Sequence, residues 1–260
     1  MTKNNSSGVV VAVANQKGGV GKTTSAVNLA GFLAKKRKKI LVVDSDPQGN
    51  ASSGVGVKTK SLNKHLYHMF CGSADTTDVI IKTSVKNLDI LPTNIDLVAT
   101  ELELINQEER ENFLNKALNG VRKDYDFVFV DCPPSLGLLT VNALTAADSV
   151  LIPMQCEYFA MEGLAQLINT IRSVKKTFNS DLYIEGLLLT MFDTRNKLSH
   201  QVAEEINRHF GDQVFKTVIP RNVRLSECPS HGKTIMEYDI KSTGARAYSS
   251  LATEFLKRQR

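Results

Sequence analysis

The chain has 260 residues, 42% of them hydrophobic and 23% charged. That composition excludes a fibrous or wholly disordered polypeptide and is enough for one sizeable core. Its four cysteines, Cys71, Cys132, Cys156 and Cys228, stand far apart without CxxC spacing. This argues against a disulfide framework or a zinc site and for reduced thiols in a cytoplasmic protein. The net charge is +5 and unevenly spread: residues 193–260 hold 12 Lys and Arg against 8 Asp and Glu, the remainder 20 against 19. The last quarter is therefore a candidate polyanion contact.

Met1–Ser7 is polar and reads as a disordered tail, with one domain over 8–260. Val9–Ala14 is an apolar run too short for a signal or a membrane span, and reads as a buried strand. A glycine-rich loop, Asn15 to Gly21, follows it, and a helix opens at Lys22. Strand, glycine-rich loop and helix form the setting of a phosphate-binding loop. Gly18, Gly19 and Gly21 allow close backbone approach, while Lys22 can reach β- and γ-phosphates and the Thr23 hydroxyl can ligate Mg²⁺. Lys35–Lys39, five consecutive cations, closes the helix and reads as a solvated end that suits the helix dipole.

Lys39–Asp44 is a second strand, leading into Asp44-Ser-Asp46-Pro-Gln-Gly-Asn50. Leu88–Leu91 and Phe127–Asp131 are further strands, and the latter runs into Cys132-Pro133-Pro134-Ser135. An apolar strand ending in aspartate beside a phosphate loop is a Mg²⁺-holding arrangement. Carboxylates at the carboxyl ends of parallel strands face the ligand crevice, which makes Asp44, Asp46 and Asp131 candidates. Val150–Pro153, Gly186–Met191 and Val214–Ile219 complete the expected strands. Leu164, Leu167, Ile168, Ile171 and Val174 form one helical stripe; Ala245, Tyr248, Ala252, Phe255 and Leu256 form another. Strands alternating with helices predict an α/β fold with a mostly parallel twisted sheet flanked by helices on both faces.

The loop departs from the common G-x-x-x-x-G-K-[ST] pattern, because Gln16 stands where the first glycine belongs and Lys17 precedes the glycines. Lys17-Gly18-Gly19-Val20-Gly21-Lys22-Thr23-Thr24 resembles the deviant Walker A motif of the ParA/MinD family of ATPases. The resemblance implies a P-loop ATPase with ATP and Mg²⁺ bound by residues 17–24. It also implies a homodimer with ATP sandwiched between subunits, each Lys17 reaching the partner's phosphates. Asp46 matches the aspartate that positions the attacking water. Thr23, Asp44 and Asp131 fall on the Mg²⁺ shell.

Three further runs look like the chromosomal ParA subgroup often called Soj: Pro153-Met-Gln-Cys-Glu157-Tyr-Phe-Ala160, Thr190-Met-Phe-Asp193-Thr-Arg195, and Ile219-Pro220-Arg221-Asn222-Val-Arg224 continuing to Gly232. By that resemblance Pro220 and Asn222 line the adenine pocket. Arg195 and Arg224 contact double-stranded DNA without regard to sequence, and a ParB-like centromere-binding protein stimulates slow hydrolysis. The protein would then be cytoplasmic and nucleoid-associated. The alternative is a membrane-associated, MinD-like division-site ATPase. The last stripe has few bulky residues, however, and reads as core packing. An iron–sulfur ATPase would need paired cysteines, and a DNA-binding module without turnover would not need Asp44, Asp46 and Asp131 together.

Overall fold

The computed structural model of the chain describes residues 8–157 and 160–259. The expected tail over 1–7 lies outside the described residues, as do Tyr158, Phe159 and Arg260. Among the described residues, seven strands form one sheet: β1 Val9–Val13, β2 Ile40–Asp44, β3 Ile81–Lys82, β4 Leu88–Leu91, β5 Phe127–Asp131, β6 Ser149–Gln155 and β7 Tyr183–Thr190. Their order is β3-β4-β2-β5-β1-β6-β7, and every neighbouring pair is parallel except β3 with β4.

Helices cover both faces, so the strands are apolar on both sides, as the continuous apolar runs predict. On β1, Val10 and Ala12 enter the core formed with Leu139, Ala143, Leu164, Leu167 and Ile171. Val11 and Val13 enter the other, formed with Leu29, Leu33, Tyr248, Leu251 and Phe255. Both expected stripes are thus real. Helix Ala160–Thr177 buries Leu164, Leu167, Ile171 and Val174, and helix Thr243–Arg258 buries Ala245, Tyr248, Ala252 and Phe255 against helix Lys22–Lys35. The apolar face of the last helix is therefore covered by protein. No described helix is long and apolar enough to cross a membrane.

One expected strand fails. Val214–Ile219 makes isolated contacts with β7, through Phe215 N to Leu187 O at 2.9 Å and Ile219 N to Leu189 O at 2.8 Å. Between them, Lys216 N and Thr217 N donate instead to the Glu254 carboxylate, at 2.7 and 2.8 Å. A glutamate from the last helix takes the donors a ladder would need. The edge strand β3, two residues long and antiparallel, carries too little pattern for the sequence to show it.

Candidate nucleotide site

The sheet order places β1 between β5 and β6, with β2 beside β5, so three strand ends converge where the glycine-rich loop leaves β1. Side chains from both flanks fix this loop. Asn15 Nδ2 donates to Pro153 O at 2.7 Å, and Asn15 Oδ1 accepts from Lys17 N at 3.0 Å. The Thr190 hydroxyl lies 2.7 Å from Val20 O and 3.1 Å from Met154 O, a donor shared between the loop and β6. Gly19 and Gly21 have φ of 74° and 84°, in the left-handed region that glycine enters without strain. Gly21 is the N-cap of helix Lys22–Lys35 and supplies no side-chain cap, which leaves the first N–H groups for an anion.

A crevice of about 480 Å³ opens here, lined among others by Gly18, Gly19, Gly21–Thr24, Asp46, Pro134, Pro220 and Asn222. It joins the phosphate loop to the expected adenine residues in one space. A cavity of about 770 Å³ among the helices between 66 and 121 carries none of these groups, so size does not identify the site. Val20 is buried beneath the loop and is held through its carbonyl. The Lys22 ammonium is nearly enclosed and donates to Lys17 O at 3.2 Å. Burial lowers its pKa, and Asp131 and Asp46 hold part of that shift back.

Asp44 and Asp131 stand side by side at the ends of β2 and β5, fully buried. Asp44 Oδ2 accepts from Ser52 N at 2.7 Å and Ser52 Oγ at 2.6 Å. Burial still pushes its carboxyl up to about 7. Asp131 is raised well above the usual carboxylate range by burial, then by the charge of Asp44. Both of its oxygens are buried without a hydrogen-bond partner, while Thr23 and Lys22 offset part of the rise. Buried acceptors without donors are costly, so an open carboxylate beside a phosphate loop fits a divalent cation. Of the two aspartates, Asp131 is the open one; Asp44 also pins the following loop through Ser52. Asp46 is buried, with Oδ1 accepting from Gln48 N at 3.0 Å and its carbonyl from Gly49 N at 2.8 Å, so its side chain is held at the crevice edge.

Lys17 is half exposed and pairs within the chain with the Glu157 carboxylate, just past β6. Asn222 Oδ1 caps helix Val223–Glu227 through Leu225 N at 3.2 Å, and its Nδ2 donates to Thr243 Oγ1 at 2.6 Å. Arg195 has 88% of its side chain exposed and forms a two-pronged pair with Asp193, at 3.1 and 3.0 Å. Arg224 is exposed and pairs with Glu227 at 2.9 Å. A parallel bridge between Phe192 and Pro220 sets the segments bearing the two arginines side by side, on the rim of the crevice that Met191, Pro220 and Arg221 line. Sequence reading missed Thr190, Ser52 and Glu157. Only strand-end position could have flagged Thr190. The other two act through folded contacts alone.

A family model described as an AAA domain matches residues 8–184. The chain is 55% identical to the sporulation initiation inhibitor protein Soj of Bacillus subtilis, over 95% of this chain and 98% of that protein. It is 51% identical to the chromosome partitioning protein ParA of Myxococcus xanthus, over 96% and 89%. Among solved structures, the cobyrinic acid a,c-diamide synthase of Mycobacterium smegmatis, with a bound ATP analogue and magnesium, superposes with a TM-score of 0.86 at 35% identity, covering 97% of this chain and 96% of that one. The cell division ATPase MinD of Pyrococcus furiosus superposes with a TM-score of 0.80 at 26% identity, covering 96% and 99%.

Proposed function

Because the chain belongs to the Soj/ParA family of chromosome-partitioning ATPases, we propose that it is an ATP-driven dimer switch that holds non-specific duplex DNA and moves a chromosome or plasmid with a ParB-like partner. The observation that carries this reading is the Phe192–Pro220 bridge, which makes the crevice rim and the two arginine-bearing segments one unit. Nucleotide occupancy and DNA contact then share a foundation.

ATP enters the crevice with its phosphates on the loop amides and Lys22, and its base toward Pro220 and Asn222. Thr23 and Asp131, with Asp44 behind, would hold Mg²⁺, which supplies charge neutralisation to the phosphates. Asp46 orients water; phosphoryl transfer needs positioning more than a strong base. Lys17 leaves Glu157 and reaches the phosphates of the second subunit. Beside the loop Pro133–Ser135, Ile95, Val98, Leu102 and Ile105 form an exposed apolar row. Helix Val98–Glu103, which carries Val98 and Leu102, reaches the loop through a side chain: a Cβ on Gly137 would meet Glu101 Oε1 at 2.6 Å. Such a row suits coverage by a second copy.

Pairing two subunits doubles the number of Arg195 and Arg224 side chains facing DNA, and avidity strengthens binding. Hydrolysis removes the γ-phosphate and the dimer parts. The protein works on the nucleoid in the cytoplasm. Binding to random duplex DNA, measured with no nucleotide, ADP, ATP and a non-hydrolysable analogue, should be tenfold or more stronger with ATP or the analogue. Lys17→Ala should abolish that gain, and Arg224→Glu should weaken binding in every state. Asp46→Ala should bind ATP and dimerise but fail to turn over. Equal DNA binding in all four nucleotide states would refute the reading.

A further inference from the structure

Three segments distant in sequence, 35–39, 82–89 and 122–126, meet at the end of the sheet opposite the nucleotide crevice. Lys39 O accepts from Asp126 N at 2.8 Å, and Ile40 N donates to Asn87 O at 2.9 Å. Together they hold nine Lys and Arg against three Asp, whereas the whole chain holds 32 against 27. The rest of the molecule is therefore slightly acidic. Lys39, Lys82 and Lys86 surround one cavity of about 420 Å³, with Tyr125 in its wall. Lys36, Arg37 and Lys123 are exposed beside them. Two of the three carboxylates are engaged. Asp126 pairs with Lys38 at 2.9 Å, and Asp89 accepts from Tyr125 OH at 3.0 Å.

A second observation separates this cluster from an ordinary solvated helix end. Arg37 follows the last turn of helix Lys22–Lys35 with φ of 66°, the left-handed position that glycine takes without cost. An arginine there keeps a cation at a conformational expense. The large exposed apolar side chains among the described residues lie on other segments, so these three segments offer a membrane no anchor. Nor do the three segments present an exposed aromatic for stacking on bases; the exposed rings at this end of the sheet, Phe178 and Tyr183, lie by the far edge strand β7. Cations without anchors or stacking groups match the phosphate backbone of duplex DNA.

We propose that this basic pole is a second DNA-phosphate surface, separate from Arg195 and Arg224 and independent of nucleotide because it lies at the other end of the strands. It gives each subunit a weak hold on duplex DNA in every nucleotide state.

The test uses the full chain without nucleotide and random duplex DNA, with Arg195→Ala and Arg224→Ala combined to remove the crevice-side contacts. Residual binding should persist there. Adding Lys36→Gln, Lys39→Gln, Lys82→Gln and Lys86→Gln should weaken it about tenfold or more and make the salt slope shallower by about 3–4, near one per lost phosphate contact. The same four positions changed to Arg should keep both. DNA-free ATPase activity should be unchanged in the Gln variant, which reports intact folding. Should that variant fold poorly, the pairs 36/39 and 82/86 tested separately should each lose part of the slope. Unchanged affinity and slope in the Gln variants, or capture by anionic vesicles in preference to DNA, would overturn the proposal. ATP-stimulated binding through Arg195 and Arg224 would survive either result.

Discussion

Asp44 and Asp131 are register partners at the ends of adjacent parallel strands, both fully buried, and only Asp44 has hydrogen-bond donors. A carboxyl whose pKa is raised in the folded chain costs stability once pH exceeds its unfolded value of roughly 4, and the cost grows until the folded value is passed. Both carboxyls are raised, Asp44 to about 7. Without Mg²⁺, Asp131→Asn should therefore melt higher than the parent at pH 8, by about 2–4 °C or more, and the gain should shrink toward pH 5. The added stability from Mg²⁺ with ATP should vanish in the variant. Melting curves across pH decide this; a gain of the same size at every pH would count against it.

Thr190 ties the phosphate loop to β6 and β7 with one hydroxyl. Thr190→Val keeps the shape and deletes the donor. Stability should fall by about 1–3 kcal/mol, because Val20 O loses its buried partner. ATP affinity should fall further than stability alone explains, since the loop is no longer set before binding. Isothermal titration beside denaturant unfolding separates the two.

Glu157 holds Lys17 in the single chain. The pair is half exposed, so it is worth little, about 0.2–1 kcal/mol. Glu157→Gln should release Lys17 and let ATP-driven self-association begin at about two- to fivefold lower protein concentration. Sedimentation with a non-hydrolysable analogue would show it. Weaker association would mean that Glu157 itself serves the dimer.

Leu102 lies in the exposed apolar row with 74% of its surface open. Leu102→Asp should cost the free chain almost nothing, within about 0.5 kcal/mol, as surface changes do. It should raise the ATP-dependent dimer dissociation constant by tenfold or more. Unchanged association would remove the row from the interface.

Much of this fold was legible in the sequence. β1, β2, β4, β5, β6 and β7 are apolar runs because both faces of the sheet are covered, and the loop with its two lysines announces itself by residue type and spacing. Val214–Ile219 misled because its apolar pattern is real while its N–H groups are taken by Glu254, 37 and 38 residues away. The pairing of Lys17 with Glu157 was hidden for the same reason: a partner 140 residues off leaves no local trace. The basic pole was concealed differently. Counting charge by chain quarters spread its nine cations among acids that the fold places elsewhere.

The strand order has a consequence for how this molecule can change over time. Strand β1 has the buried aspartates of β5 and β2 on one side, and the segments carrying Glu157, Arg195 and Arg224 follow from β6 and β7 on the other. If Arg195 and Arg224 hold DNA as proposed, substitutions on the β6–β7 side can alter what is gripped while the carboxylates stay in place. Chemistry and cargo are thus free to diverge at separate rates, joined through the one loop both sides support.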